Sequence, residues 1–447
     1  MTAPVHAAVV VGAGPAGLFA ARALAAGGCR ILLLNRDVKP GGLAEYGIFL
    51  NKYKMKNGLR KQFQKILTDP RVTYAGHVSV GQAGALTLDD LQALGFDATV
   101  FAIGAQGTKY LGIEGEHLPG VYHAKDLVYH YNRLPPFSER AFPIGPRVAI
   151  IGVGNVMVDI ANFCIHFADC GEVIAVARRG PFEKAYDDRE FEDVEDALDH
   201  DLYRLELERI RARLAAVGQD VDVLIAALER PESSRAAEKE VPPRARLRFH
   251  FLASPRRVVS EGGRVAALEV EQTRLSRAGN RISAVGTGLV ERIPCDSVVF
   301  AVGDRVDESV GLPYRDGVYL TAPDRPDIPD AAYRVWDPER GAPIPDTFVV
   351  GWARRASDGV VGRARLDAET GVQHVLKHLA GRPPRSRAEA DRLIESALDS
   401  LRARGAVPVT YEEVQQIEAH ERARAASSHA PEFKFASDRQ MLDLIRR

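Results

Sequence analysis

The sequence predicts an α/β protein with two Rossmann-like dinucleotide-binding domains, the second inserted in the first. Three observations carry this reading. A strand, glycine turn, helix and strand occur in that order twice; a later apolar strand echoes each copy; and 447 residues exceed the size at which one hydrophobic core keeps growing. The composition is 46% hydrophobic and 27% charged, with 59 basic and 60 acidic residues and a formal net charge of -1. That balance excludes the basic excess expected of a nucleic-acid or anionic-membrane binder.

The first copy opens with the apolar run from His6 through Val9 to Val11, turns at Gly12-Ala13-Gly14-Pro15-Ala16-Gly17, and continues as the alanine-rich helix Leu18 to Ala26. A second strand, Ile31 to Leu34, follows. The second copy opens with Arg147 to Ile151, turns at Gly152-Val153-Gly154-Asn155, and continues as the helix Val156 to Phe167 and the strand Glu172 to Val176. Each pattern is a βαβ unit. The echoes are Ala98 to Gly104 and Asp296 to Gly303; both read as buried parallel strands ending where backbone must approach something closely. Pro323 to Pro345, rich in proline and aspartate, reads as a long connection rather than an element, before one more strand, Asp346 to Val350. Two charged helices are expected at the end, Arg387 to Arg404 with Ser386 as cap and Tyr411 to Ala425. The expected division is residues 1–105 and 323–447 for the first domain, the latter with the C-terminal helices, and 106–322 for the inserted one.

A glycine turn between strand and helix does three jobs: the first glycine makes the tight turn, the second admits a pyrophosphate, and the third lets helix pack on strand. Gly12, Gly14 and Gly17 fill all three positions. An acidic residue normally ends the next strand to hold ribose hydroxyls; here the place holds Asn35, a neutral partner, with Asp37 as the alternative. The second turn lacks the third glycine but has Arg178-Arg179 at the end of its second strand. Paired guanidinium forks there suit the 2′-phosphate of NADP, where an NAD site would want a carboxylate.

Cys29, Cys164, Cys170 and Cys295 form no C-x-x-C pair, which argues against a dithiol centre, a cysteine-ligated cluster or a disulfide framework. No metal site is expected. No apolar run approaches the ~20 residues needed to span a bilayer, and the first strand begins too near Met1 for a signal or transit peptide. A cytoplasmic protein is the expectation.

Further segments carry a resemblance. The first glycine turn together with Gly41-Gly42-Leu43-Ala44-Glu45-Tyr46-Gly47-Ile48 resembles the adrenodoxin reductase family of ferredoxin–NADP reductases. The likeness continues through Leu111 to Val121, Tyr131 to Pro135, Gly152 to Asp159, Arg178 to Pro181, Gly351-Trp352-Ala353-Arg354-Arg355, Asp358-Gly359-Val360 and Arg404 to Thr410. It covers essentially the whole chain. It implies FAD in the domain made of both chain ends and NADP in the inserted one, with hydride passing from NADPH to FAD and electrons then to a ferredoxin-like iron–sulfur protein. Residue by residue, it implies Gly12, Gly14, Pro15, Ala16, Gly17, Gly42, Leu43, Tyr46, Gly104 and Gly351 around FAD. Trp352, Gly359 and Val360 would border the isoalloxazine ring. Gly152, Gly154, Asn155 and Val156 would meet the NADP pyrophosphate, and Arg178, Arg179 and Glu190 the 2′-phosphate end. A monomer is expected.

The sequence also departs from the family. Where members have Pro-Asp-His, this chain reads Leu50-Asn51-Lys52, so the histidine's place falls on Lys52 while its acidic partner's place is kept as Asp159. With Trp352 these are the candidate catalytic residues. A Lys–Asp pair preserves electrostatics but not a proton relay near neutral pH. Ala356 to Gly359 replaces a Gly-Pro-Thr-Gly segment, and Asp187 to Asp196 is acidic, which opposes docking of an acidic partner. Two other readings therefore stay open: an electron-input subunit or a reductase with a different acceptor, and a non-catalytic nucleotide-binding redox sensor.

Overall fold

A computed structural model describes residues 4–228, 243–324, 328, 330–355 and 361–446. The chain divides into two compact units: residues 1–109, 129–139 and 303–447 form the first, and 110–128 with 140–302 the second. Residues 106–109, 129–139 and 303–322, expected within the inserted domain, cluster with the chain ends instead.

In chain order the strands that build the sheets are β1 (Ala7–Val11), β2 (Arg30–Leu34), β3 (Val72–Ala75), β4 (Ala98–Phe101), β5 (Val121–His123), β6 (Arg147–Ile151) and β7 (Glu172–Val176). They continue as β8 (Arg246–His250), β9 (Ala253–Glu261), β10 (Arg264–Ala278), β11 (Arg281–Pro294), β12 (Ser297–Phe300), β13 (Arg334–Asp337) and β14 (Ala342–Val349). The helices that matter for the sites are α1 (Pro15–Ala26), α2 (Tyr53–Leu67), α3 (Asn155–His166), α4 (Val361–Ala380), α5 (Arg387–Ala403) and α6 (Tyr411–Ser427).

The first unit is built on a six-stranded sheet in the order β13-β14-β4-β1-β2-β3. β1 pairs in parallel with β2 (Val9 with Leu32) and with β4 (Val9 with Thr99), and every residue of β1 is buried. A strand buried on both faces needs an unbroken apolar run, which is what Ala7–Val11 supplies. β14 adds in parallel beside β4, Phe348 opposite Val100. The connection expected over 323–345 is not wholly irregular: β13 pairs antiparallel with β14 across a turn at residues 338–341. Prolines at 343 and 345 are tolerated because they precede Thr347, where the pairing of β14 with β4 begins, so their missing N–H groups break no bond of that ladder. Ser386 caps α5 in a box with Glu389, and Thr410 caps α6 in a box with Glu413.

The second unit has a five-stranded parallel sheet, β5-β12-β6-β7-β8, and a separate three-stranded antiparallel sheet, β9-β10-β11. All four cysteines are buried and unpaired.

Within the first unit a network of buried charges ties the loop after β2 to the C-terminal segment. The Glu45 carboxylate receives Arg60 Nε at 2.7 Å and Lys434 Nζ at 2.9 Å. Lys39 pairs with Glu421 on α6, and Arg60 also reaches Glu432 at 2.6 Å. Burial alone would push the Glu45 carboxyl up; Lys434, Lys39 and Arg60 outweigh it and hold the group well below the usual carboxylate range. Beside this network Lys56, fully buried, donates to Asn132 Oδ1 at 2.8 Å and has Glu432 at 3.6 Å. Burial, helped by the Lys434 charge, pushes the Lys56 ammonium down to about 8.

Gly17 meets Gly12 where α1 crosses β1: a Cβ on Gly17 would sit 1.7 Å from the Gly12 carbonyl oxygen. Backbone cannot swing aside as a flexible side chain can, so Gly17→Ala should cost about 3 kcal/mol or prevent folding. The check is urea denaturation, and a loss well under 1 kcal/mol would show that the crossing tolerates a methyl group. For Lys56 the folded pKa lies below the unfolded one, so folding works against the charged form. This penalty is present below pH 8 and relieved as pH rises from about 8 toward the free-lysine value of 10.5. The melting temperature of the wild type, measured relative to Lys56→Met, should therefore rise across that window; parallel curves would contradict the assignment.

Candidate functional site

In the first unit a cavity of about 150 Å³ opens at the carboxyl ends of β1 and β4. This is where an open parallel sheet binds its ligand. Of the predicted residues, Gly12, Gly14, Pro15, Ala16, Asn35, Gly42, Leu43, Gly104 and Trp352 line it. The fit is set by missing side chains: a Cβ on Gly12 would lie 2.7 Å from the Ala102 carbonyl oxygen, and one on Gly42 would lie 2.9 Å from the Gly14 Cα. Pro15 opens α1 and no side chain caps Gly14, which leaves the first-turn N–H groups and the positive end of the helix for an anion.

Three predicted residues do something other than line the cavity. Gly17 takes the helix-to-strand contact described above. Tyr46 is buried in a cluster with Tyr129 and Leu134, under the Lys434 ammonium at 4.9 Å from its ring. Gly351 carries φ 68° and abuts Ala16, to whose Cβ its own would come within 2.5 Å.

Asn35 borders the cavity, but its amide is engaged at both ends. Oδ1 accepts the Ala13 N–H at 3.1 Å, while Nδ2 reaches the carbonyls of Asp37 at 2.9 Å and Lys39 at 3.0 Å and the Tyr74 hydroxyl at 3.2 Å. Asn35 thus ties the turn after β1 to the loop after β2, a task that a carboxylate, having no N–H, could not perform. Asp37, the alternative, also lines the cavity, its Oδ1 accepting from Arg36 Nε at 2.9 Å. Arg36, Gln106, Asp307, Val310 and Ala364 line the cavity too. No motif marked them; Arg36 lies inside the loop already singled out, whereas Asp307 and Val310 come from chain returning after β12.

The second unit repeats the turn at β6 and α3. A Cβ on Gly152 would lie 2.3 Å from the Ala301 carbonyl oxygen, matching Gly12 against Ala102. Gly154 precedes α3 with no side-chain cap and with open space at its Cα. Asn155 accepts the Asp187 N–H at 2.8 Å on its Oδ1, and Val156 is exposed. The ends of Arg178 and Arg179 are anchored through backbone: Thr273 Oγ1 donates to the Arg178 carbonyl at 2.7 Å and Leu252 N–H to that of Arg179 at 3.3 Å. Arg178 is exposed and Arg179 partly so. Neither guanidinium has an ion-pair partner among the described residues, so both charges remain for a ligand. Glu190 lies partly buried in the short helix Asp188–Phe191, which Asp187 caps.

Lys52 ends a single 3-10 turn, Leu50–Lys52, of the first unit, and Asp159 is a half-buried residue of α3 in the second. Gly359 and Val360 lie outside the described residues. Among the described residues no group of histidine, cysteine and acidic side chains could hold a metal ion, and no helix is long and apolar enough to cross a membrane.

Residues 6–325 match the family described as pyridine nucleotide-disulphide oxidoreductase. The chain is 30% identical to NADPH-ferredoxin reductase FprA of Mycobacterium leprae, over 98% of each chain. It is 29% identical to the mitochondrial NADPH:adrenodoxin oxidoreductase of Bos taurus, over 98% of this chain and 91% of that one. Among solved structures, Mycobacterium tuberculosis FprA in complex with NADPH is similar with a TM-score of 0.81 and 29% identity, over 99% of this chain and 100% of that one. With two glycine turns on two parallel sheets and this full-length likeness, the chain belongs to the pyridine nucleotide-disulphide oxidoreductase family, among the NADPH-ferredoxin and adrenodoxin reductases.

Proposed function

We propose that the chain is an FAD-dependent NADPH oxidoreductase that passes electrons to a ferredoxin-like iron–sulfur protein. The observation that carries the reading is the pair of glycine turns, each pressed against a carbonyl of its own sheet and each opening an uncapped helix. Likeness to NADPH-ferredoxin reductases over the whole chain supports the acceptor class.

In this reading the first unit holds FAD and the second NADPH. The cavity at Gly12 and Gly14 fits FAD because its walls are bare backbone where a pyrophosphate must approach, and the N-terminus of α1 faces it. Gly42 and Leu43 close the cavity from the loop after β2, and Trp352 borders the isoalloxazine ring with the apolar face of its indole. What FAD supplies when bound is the conversion of a two-electron donor, NADPH, into single-electron delivery.

The chain's own residues bind and orient. Gly152 and Gly154 admit the NADPH pyrophosphate to α3, and Arg178 and Arg179 take the 2′-phosphate in charge-assisted hydrogen bonds. Glu190 stands at the adenosine end. Lys52 supplies positive charge where the family carries histidine, and Asp159 keeps the family's acidic residue; at neutral pH a lysine holds its proton rather than relaying it. A monomer in the cytoplasm suits four buried, unpaired cysteines.

Anaerobic mixing with NADPH, and separately NADH, while following flavin absorbance tests the reading. NADPH should bleach the flavin rapidly and NADH slowly. In the double variant Arg178→Ala/Arg179→Ala, losing two charge-assisted contacts should raise KM for NADPH about 100-fold or more and leave that for NADH nearly unchanged. Yellow protein that neither nucleotide bleaches would favour the redox-sensor reading. Equal KM shifts for both nucleotides would place the 2′-phosphate elsewhere.

A further inference from the structure

Trp352 sits in a short 3-10 turn, Gly351–Ala353, whose two ends are held by one carboxylate. At the start of the turn, the Gly351 N–H donates to Asp367 Oδ2 at 2.6 Å. Just after it, the Arg354 guanidinium bonds both Asp367 oxygens, Nη2 to Oδ1 and Nε to Oδ2 at 3.4 Å. That guanidinium is 9% exposed and lies over the Tyr333 ring, 4.3 Å from its centroid; the Tyr333 hydroxyl reaches Asp367 Oδ1 at 3.4 Å. His374 stacks on the far side of the same cluster, 5.0 Å from the Tyr333 ring and bonded through Nδ1 to Asp330 Oδ1 at 2.6 Å.

The cluster does more than bury charge. Asp367 lies in α4, which packs along α1, the helix that opens at the cavity. Gly351 abuts Ala16 in the first turn of that helix. The turn therefore has contacts on three sides: Ala16 below, Asp367 at its start and Arg354 at its end. Two side chains project between those fixed points, the small, buried Ala353 and the indole of Trp352, and Trp352 is the one that lines the cavity. The turn is closed by two backbone bonds that share one acceptor, Arg354 N–H at 3.0 Å and Arg355 N–H at 3.1 Å to the Gly351 carbonyl, and a turn this short is not rigid unaided. Its geometry has to come from outside.

We propose that Asp367 is a positioning residue for Trp352: through Gly351 and Arg354 it sets the angle at which the indole meets the flavin ring. The inference rests on the FAD reading of this cavity given above. Asp367 touches neither cofactor nor substrate and acts only through the turn. Arg354 cannot substitute for it, because a cation cannot accept the Gly351 N–H.

The test uses the full-length, FAD-loaded protein and reads flavin fluorescence, which an electron-rich indole beside the flavin quenches and a phenyl ring does not. Trp352→Phe gives the reference for a lost indole. Asp367→Ala should lose quenching to a similar extent, with KM for NADPH unchanged because the turn lies in the other nucleotide's unit. Asp367→Asn keeps an acceptor for Gly351 while losing the ion pair with Arg354, so it should fall between wild type and Asp367→Ala; it also serves if the alanine variant does not fold. Emission and flavin absorbance are recorded well below each melting temperature, so that a merely structural loss shows in the melt and not in the spectrum. If Trp352→Phe changes emission while both Asp367 variants match wild type, the positioning role is overturned. If Trp352→Phe itself leaves emission unchanged, the indole does not meet the flavin and the proposal falls with it. Protein purified without any FAD would instead overturn the functional reading beneath both.

Discussion

The first unit depends on one contact with no side chain in it, the crossing of α1 over β1 at Gly17 and Gly12. Two backbones touch there, and the Gly12 turn is pressed from the other side by the carbonyl of Ala102, the residue after β4. Three elements are thereby locked with no rotamer freedom among them, and the helix N-terminus has one place to point. The rest of the turn follows: Gly14 faces Gly42, whose Cα would lie 3.9 Å from a Cβ on Gly14, and Asn35 can reach the Ala13 N–H because the turn is where it is. The second unit uses the same device at Gly152 and Ala301, but the place equivalent to Gly17 holds Met157, fully buried. There a side chain fills the gap between helix and strand, so the tight turn survives without the backbone crossing.

Charge does the corresponding work at the back of the first cavity. Glu45 lies two residues after Leu43, and the cations that hold its carboxylate come from α2 and from residue 434. The loop that closes the cavity is thus held from behind by residues that never meet a ligand. Buried ion pairs of this kind contribute little net stability, yet removing one partner leaves the others uncompensated. Their contribution is a specified loop geometry.

Much of this was legible in the sequence because it is local. Apolar runs bounded by glycine marked β1, β2, β6 and β7 to within a residue, and the first-glycine role of Gly12 and Gly152 is borne by the carbonyls of the echo strands, Ala102 and Ala301. The hairpin at β13 was hidden by prolines that read as loop until it is known that they precede the residues of β14 paired with β4. Asn35 has a second task that its position did not reveal. Position alone suggested a ribose contact, while its partners, Ala13 and Tyr74, are 22 and 39 residues away and become neighbours only in the folded sheet. The same holds for Asp367, Asp307 and the Glu45 network: no spacing rule links Glu45 to Lys434. Tyr46 shows the converse, a residue inside a recognisable segment whose ring faces a protein cluster instead of the cavity.

The order of strands in the first sheet has a consequence for how the molecule is made. β4 has β1 on one side, and on the other only β14, which is separated from it by the entire second unit. On the ribosome, β1, β2 and β4 emerge early, but the bonding edge of β4 has no partner until residues near Phe348 follow. At about 5–20 residues per second that wait is on the order of ten to fifty seconds. Throughout it the nascent chain carries an open strand edge, the kind of surface that recruits a neighbour's strand. The second unit, contiguous apart from residues 129–139, faces no such delay and can close on itself while the first still waits. Translation speed between residues 101 and 348, and chaperones that shield open sheet edges, therefore bear on the yield of this protein.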